Sequence, residues 1–581
     1  MFGQSAPLCA GHQQPGVCVE GVWRCAVLPV RSRCWAVLPP GRPAPTRLLV
    51  TVELASWTAF TLQVFPLSPI VAGKLTTRGY RRRDDIGFDV FEIPLRDYDL
   101  VLGDVIPAAV RGIFAQIDVD HVPQPVLKLA RAPHETRHTS SRPPEQAIPK
   151  IWDCLLEFQQ DSVRFAVERG GRALLADDMG LGKTVQCLAL CEYYRDDWPL
   201  LIVCPATMRV HWKDMARKWL SASSNIAIPK SKNDIMGMLA LPQIVVLSYA
   251  LVKTVLPLIK SRWENRWTPN VIACDESHHL KESTSQRACE LKKWLKCSRR
   301  VILLTGTPAL NRPAELFSTV DILSTGLLGS KIQFEKRYCQ GHKDPRSGRW
   351  MNRGSHHETE LYLVLTRCLM VRHLKRDVMR CMPKKIRNMV RSVVDTPISI
   401  EETVRREMEG GGQQSDNLVN LYFESASHKL VAAASLIRTF LQKDSSPFIV
   451  FGHHELVLDG LQAILDQTCT TFGDARVALL SFGSCATGLN LASACSSMIF
   501  AELPWTPALL FQAEDRIHRI GQQSPSCTYH YVIVRGTSDD FMMPAIERKI
   551  RTLAHTLDGA GVDPTPGSTS SAQPELPFRN P

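Results

Sequence analysis

The sequence predicts an α/β protein with two doubly wound, parallel-sheet lobes preceded by a small β-rich unit. Three observations lead there. Short apolar runs at 173–176, 200–203, 244–247, 271–274 and 301–304 alternate with helical stretches, the texture of strands buried on both faces of a parallel sheet. A second set at 448–451, 477–480, 498–501 and 529–534 repeats the texture. The chain has 581 residues, enough for three or four folded units at roughly 100–200 residues each.

In chain order, residues 1–47 carry a single acidic residue, Glu20, with seven prolines and no sustained period, and are expected to be a tail. A transit peptide or a wrongly included untranslated stretch are the alternatives. Alternation at Val50, Val52, Leu54 and at Phe91, Ile93, Leu95 predicts the small β unit over 48–105, and 106–150 is expected to be a linker. The first lobe is expected over 151–324. A helical insertion and linker, basic near Arg372 to Arg387 and loosened by Gly410, Gly411 and Gly412, is expected over 325–445. The second lobe is expected over 446–550, and 551–581 reads as a disordered tail.

Composition narrows the function. Lysine and arginine exceed aspartate and glutamate by 69 − 57 = 12, which favours a polyanionic partner but also serves solubility. No apolar run approaches the 18 or more residues of a membrane span, so a soluble chain with no membrane partner is expected. The 18 cysteines contain no CxxC pair, which argues against a disulfide scaffold or a zinc ribbon and for free thiols in a reducing compartment.

The strongest chemical signal follows the 173–176 run: Asp177, Asp178, Met179, Gly180, Leu181, Gly182, Lys183, Thr184. A strand running through a glycine-rich turn into a helix makes a phosphate cradle. Its backbone N–H groups face phosphate oxygens, Lys183 brings charge and the Thr184 hydroxyl is offered to Mg²⁺. Asp177 stands where such a loop usually begins with glycine. A second signal is Asp275-Glu276-Ser277-His278 at the end of an apolar run, the edge where open α/β sheets place ligands. There Asp275 would hold Mg²⁺ through water and Glu276 would polarise an attacking water. The plain alternative is an acidic helix cap. Third, Arg516 and Arg519 lie three apart, so on a helix they share a face and reach a γ-phosphate across an interlobe cleft; the alternative is a solvated helix salt-bridged through Glu514 and Asp515.

Asp178-Met-Gly-Leu-Gly-Lys-Thr, Asp275-Glu-Ser-His, Leu304-Thr-Gly-Thr-Pro and the stretch from Gln512 to Gln522, in that order, closely resemble the Swi/Snf family of superfamily 2 DNA translocases. The resemblance spans about 150–550 and implies two RecA-like lobes, ATP and Mg²⁺. It also implies Gln159 as the adenine-reading glutamine, with Gln512 at the nucleotide, and DNA contacts at Thr207, Ser248, Tyr249, Thr305, Thr307, Thr487 and Gly488. His373 stands where a second arginine is common. Phe451-Gly-His-His and Ala501-Glu-Leu-Pro-Trp look like the annealing-helicase branch. Phe60, Lys74, Tyr80 and Phe91 to Tyr98 resemble its HARP domain, with Phe91 where tryptophan is usual.

Two expectations attach to that unit and to the second lobe. The aromatics Phe60, Tyr80, Phe91 and Tyr98 beside basic residues suggest selection of DNA structure by stacking and phosphate contact, with Arg81, Arg82 and Arg83 as candidates; a solvated turn formed with the adjoining Asp84 and Asp85 is the alternative for those three. Between Leu461 and Val477 the family's strand-plus-helix unit of roughly 30 residues has no counterpart, so the second lobe is expected to be shortened in its centre and destabilised. The function implied is an ATP-dependent DNA translocase of the annealing-helicase type. It would act in the nucleus on forks and single-strand/double-strand junctions, alongside single-stranded-DNA-binding or replication proteins. A nucleosome-sliding remodeller and a non-hydrolysing DNA-binding scaffold are the rivals.

Overall fold

The computed structural model describes residues 47–558 apart from 66–68, 84–89, 133–141, 222–224, 281–285, 379–382, 394–413, 469–475, 484–490 and a few stretches of one or two residues. It also describes an antiparallel pairing of Gly16–Val19 with Val22–Cys25 inside the segment expected to be a tail. Contacts divide the chain into two compact units. The first gathers residues 1–135, 326–342 and 352–365; the second gathers 136–325, 343–351 and 366–581. Among the described residues no helix is long and apolar enough to cross a membrane.

In the first unit, β1 (Arg47–Leu54) and β2 (Ala59–Phe65) form a hairpin. Leu48, Val50, Val52, Leu54 and Phe60, Leu62, Val64 all point into the core, the period-2 pattern of a sheet with one buried face. Next come α1 (Pro69–Thr77), β3 (Arg81–Arg82) and β4 (Val90–Pro94). A fifth strand, β5 (Gln116–Asp120), runs parallel to β1 and completes the order β3-β4-β2-β1-β5. Helix α2 (Gln124–Arg131) then buries Val126, Leu127 and Ala130. The linker expected from 106 therefore begins after α2. The signal was weak because β5 is an edge strand with two apolar residues, both only half-buried. Three of the four aromatics expected to meet bases are core instead: Phe60, Phe91 and Tyr98 are 0%, 2% and 4% exposed, and Phe60 and Tyr98 meet edge to face at 5.1 Å.

The second unit opens with the first lobe: α3 (Glu157–Glu168), β6 (Arg172–Leu175), α4 (Lys183–Tyr193), β7 (Leu200–Cys204), α5 (Arg209–Trp219), β8 (Ile226–Ala227), β9 (Ile244–Ser248), β10 (Val271–Cys274) and β11 (Arg300–Leu304). With β12 (Met370–Val371) these make a seven-stranded, wholly parallel sheet in the order β8-β9-β7-β10-β11-β6-β12. Strands β7 and β9 are buried at every position because helices cover both faces.

The insertion supplies α6 (Lys331–Tyr338) and α7 (Glu358–Cys368). Residues 326–342 and 352–365 cluster with the small β domain, and a buried ionic network shows why. Arg337 of α6 is 6% exposed along its side chain. It reaches Glu360 of α7 at 2.7 and 3.1 Å, Asp120 of β5 at 2.8 Å and the Val52 carbonyl of β1 at 2.7 Å. Glu360 also accepts from the Leu54 amide at 3.1 Å and the Tyr338 hydroxyl at 2.8 Å. His357 lies 2.8 Å from Asp120, and Glu53 accepts the Thr359 and Glu360 amides at the start of α7.

The second lobe begins earlier than expected. Strand β13 (Lys384–Val393) and helix α8 (Gln414–Lys443), assigned from sequence to the insertion and linker, belong to it. They are followed by β14 (Phe448–Gly452), α9 (Glu455–Thr468), β15 (Val477–Ser481), β16 (Ser497–Phe500), α10 (Pro507–Glu514), β17 (Ser526–Arg535) and α11 (Asp539–Asp558). The sheet is parallel throughout, ordered β13-β17-β16-β14-β15. On one face Ala426, Ala433, Ile437, Val457 and Leu461 of α8 and α9 meet Val450, Ile499 and Val532. On the other, Leu510, Ala513, Met542 and Ile546 of α10 and α11 meet Phe451, Phe500 and Tyr531. Helix α11 runs to Asp558, past the expected start of the tail; residues 559–581 lie outside the described residues.

Among the described strands the expected gap in the centre of this lobe is not there. β14 pairs directly with β16 on one side and β15 on the other, so no strand position inside the sheet is empty. β15 is terminal, and an additional family-like strand would add to the margin. The sequence order of the strands misled because spatial neighbours in a doubly wound sheet are not consecutive in the chain.

Candidate nucleotide site

The loop between β6 and α4 is shaped by two glycines with left-handed backbone, Gly180 (φ 88°) and Gly182 (φ 79°). A Cβ on Gly182 would stand 2.5 Å from the Gln159 amide nitrogen, so that position accepts only glycine without displacement. Gln159 supports the loop: its Nε2 donates to the Leu181 carbonyl at 2.9 Å and its Oε1 accepts from the Leu156 amide at 3.0 Å. Met179 fills the space beside Gly306, and the Asp178 carbonyl accepts from Leu181 N at 3.3 Å. Thr184 is the second residue of α4. The Lys183 ammonium donates to the Asp177 and Asp178 carbonyls at 2.7 and 3.1 Å. Burial pushes its pKa down, against the pull of Glu276, Asp177, Asp178 and Asp275.

Asp177, in place of the usual first glycine, has a defined task. Wholly buried, it accepts from Gln186 Nε2 of α4 at 2.7 Å and from both the amide and Nδ1 of His373 at 2.8 and 2.9 Å. The hydrogen bond to Asp177 raises the His373 pKa. The residue that departs from the family at 373 thus partners the residue that replaces the glycine.

Asp275 and Glu276 follow β10. Asp275 Oδ2 accepts from the indole of buried Trp212 at 2.8 Å, and its carbonyl accepts from the Tyr249 hydroxyl at 2.7 Å. Burial, then repulsion from Glu276, raises Asp275 to about 6. Glu276 has left-handed backbone at φ 50°, a strain of about 1–3 kcal/mol for a residue with a side chain. Burial opposes its ionisation, but His278 at 3.2 Å, Lys183 and Arg516 hold its pKa below the ordinary value. Asp275, whose ionisation is opposed by burial and by the charge of Glu276, is a carboxylate that a divalent cation relieves, so Asp275 with Thr184 fits Mg²⁺.

Opposite lies the end of α10. The helix stops at Glu514, so Arg516 and Arg519 sit on the turn that follows and not on a shared helical face. The turn brings them in nonetheless. Arg519 Cγ lies 3.0 Å from where a Gly180 Cβ would be, and its pKa falls to about 10 through burial and the neighbouring Arg516. Glu514 and Asp515 are not a solvated pair. Glu514 accepts from Arg387 at 2.7 and 2.9 Å and from Lys385 at 3.0 Å; Asp515 pairs with Lys385 and Lys375 at 2.9 Å each. Lys385 and Arg387, two apart on β13, share the face toward α10. That alternation in Lys384-Lys-Ile-Arg was the available signal, and reading the segment as insertion obscured it.

The residues expected at DNA divide. Thr207 is exposed after β7. Ser248 and Thr305 are buried, and the Thr305 hydroxyl accepts from the Thr307 amide at 3.1 Å. Tyr249 turns its hydroxyl inward to Asp275, and Gln512 Nε2 reaches Thr307 Oγ1 at 3.5 Å. Thr487 and Gly488 lie outside the described residues.

A parallel-sheet lobe with a glycine loop, an acidic pair at the strand end two positions away and two arginines brought in from a second such lobe is the arrangement of a two-lobed nucleotide-binding protein. The SNF2-related domain family model matches residues 158–395, so the chain carries an SNF2-related domain over that stretch. Among individual relatives, the chain is 34% identical over 540 residues to the SWI/SNF-related matrix-associated actin-dependent regulator of chromatin subfamily A-like protein 1 of Xenopus tropicalis, covering 85% of this chain and 54% of that protein. It is 34% identical over 446 residues to the DNA annealing helicase and endonuclease ZRANB3 of Mus musculus, covering 71% of this chain and 41% of that protein. The chain thus spans about half the length of these relatives. The solved Sulfolobus solfataricus SWI2/SNF2 ATPase core in complex with dsDNA overlays 69% of this chain and 96% of its own at 19% identity with a TM-score of 0.34, too loosely to bear on how the lobes sit.

Proposed function

We propose that the chain is a DNA-dependent ATPase that moves or reanneals DNA at forks and single-strand/double-strand junctions in the nucleus. The observation that carries the reading is the convergence on the glycine loop of strained Glu276 from one lobe and Arg519 from the other. Lys183 and the loop amides bind the ATP phosphates, Gln159 stands beside the loop for the base, and Glu276 orients and deprotonates water. Arg516 and Arg519 neutralise charge developing on the transferred phosphoryl group. Thr184 and Asp275 would hold Mg²⁺, which when bound supplies charge neutralisation at the phosphates.

The relatives' names, annealing helicase above all, support the DNA-remodelling half. In the small β domain, read as HARP-like, exposed Lys74, Arg78, Arg81 and Arg82 offer phosphate contacts; its buried aromatics do not offer stacking. The test is ATP turnover with fork DNA, blunt duplex and nucleosomes. Fork DNA should stimulate most, and Glu276→Gln should keep ATP binding while losing on the order of 10²–10³ in rate. Stimulation by nucleosomes alone would favour a remodeller; undiminished turnover by Glu276→Gln would remove the site assignment.

A further inference from the structure

Lys375 touches both halves of the cleft. Its main-chain amide donates to Asp178 Oδ2 of the glycine loop at 3.0 Å. Its ammonium, 8% exposed along the side chain, donates to the His518 carbonyl at 2.7 Å and pairs with Asp515 at 2.9 Å. Both acceptors belong to the turn that carries Arg516 and Arg519, and Arg519 Nε in turn donates to the Asp515 carbonyl at 2.8 Å. The preceding residues bind the same loop: Arg372 donates to the Ala176 carbonyl at 2.8 Å and His373 to Asp177. We propose that Lys375 is the positioning residue that sets the arginine turn of the second lobe against the glycine loop of the first.

The proposal rests on the ATPase reading of the cleft and adds a mechanism for its assembly. One residue fixed by its backbone to one lobe and by its side chain to the other sets the distance between them. A four-carbon stem with a point charge suits a carbonyl and a single carboxylate oxygen at once. Removing the ammonium leaves Asp515 its Lys385 partner, so the turn survives but is no longer tied to the loop.

The test compares Lys375→Met and Lys375→Arg with wild type in the full chain, measuring ATP affinity, kcat and KM in saturating fork DNA. Lys375→Met should keep ATP affinity within about twofold and lose on the order of 10- to 100-fold in kcat, the cost of a misplacement near 1 Å, with KM little changed. Lys375→Arg should restore much of the rate. Where Lys375→Met does not fold, Lys375→Gln, which carries no charge and is one bond shorter than the distance to the His518 carbonyl and Asp515 requires, is held to the same criteria. Wild-type kcat in the neutral variant, or parallel loss of affinity and kcat without rescue by arginine, overturns the proposal. Glu276→Gln run beside them separates the two questions: if it turns over normally, the cleft itself has been misread.

Discussion

Replacing Arg337 by methionine tests whether the insertion helices are anchored to the small β domain by charge. Methionine keeps much of the stem but removes a guanidinium bonded to Glu360, Asp120 and the Val52 carbonyl. Breaking a buried pair from one side costs about 3–5 kcal/mol. Glu360, with no exposed side-chain surface, keeps two donors, the Leu54 amide and the Tyr338 hydroxyl, which places the loss near the lower figure. At about 3 °C per kcal/mol, a loss of about 3 kcal/mol lowers the melting temperature of this unit by roughly 9 °C. Differential scanning calorimetry of Arg337→Met, Glu360→Gln and the double variant measures it. The double variant should be less destabilised than the sum of the singles by about 1–2 kcal/mol, because neutralising Glu360 removes the charge that Arg337→Met leaves buried. Additivity within about 0.5 kcal/mol, or an unchanged transition, would refute the anchoring.

Two further outcomes follow from the cleft. Gly182→Ala, which drives a Cβ to 2.5 Å from Gln159 Nε2 in left-handed backbone, should weaken ATP binding on the order of tenfold, read by nucleotide titration; retained affinity would mean the loop has room. Glu514 is held at about 2 against an ordinary 4.5: burial opposes ionisation, but Arg387 and Lys385 outweigh it. A depressed carboxylate stabilises fully above its unfolded pKa, so the second lobe should lose on the order of 3 kcal/mol as pH falls from about 4.5 toward 2, a loss that Arg387→Met should largely abolish in acid titrations.

Both lobes were legible because parallel strands buried on two faces leave unmistakable apolar runs; each predicted run overlaps an observed strand, with ends displaced by at most three residues. The glycine loop and the acidic pair were legible because their chemistry is local. Spatial neighbours far apart in the chain were not. Asp177 and His373 are 196 residues apart, and Arg337 and Val52 are 285 apart; neither pairing leaves a periodic trace. The arginines were found by their spacing but placed on the wrong element, since beyond Glu514 the backbone tightens into turns, Arg516 N donating to the Ala513 carbonyl at 3.0 Å. Lys384 to Val393 was misassigned because its basic residues, usually a surface mark, meet buried carboxylates.

Strand β12, two residues long, closes the first lobe's sheet beside β6, and β13 opens the second lobe at Lys384. The described residues 372–378 that leave the first lobe's sheet start on the glycine loop itself, and the second lobe's sheet begins at Lys384. On the ATPase reading proposed above, a crossing at that spot puts the pivot between the lobes beside the phosphate loop. A rotation about it would move the atoms nearest the loop least and the distant sheet ends most, in proportion to the breadth of each lobe.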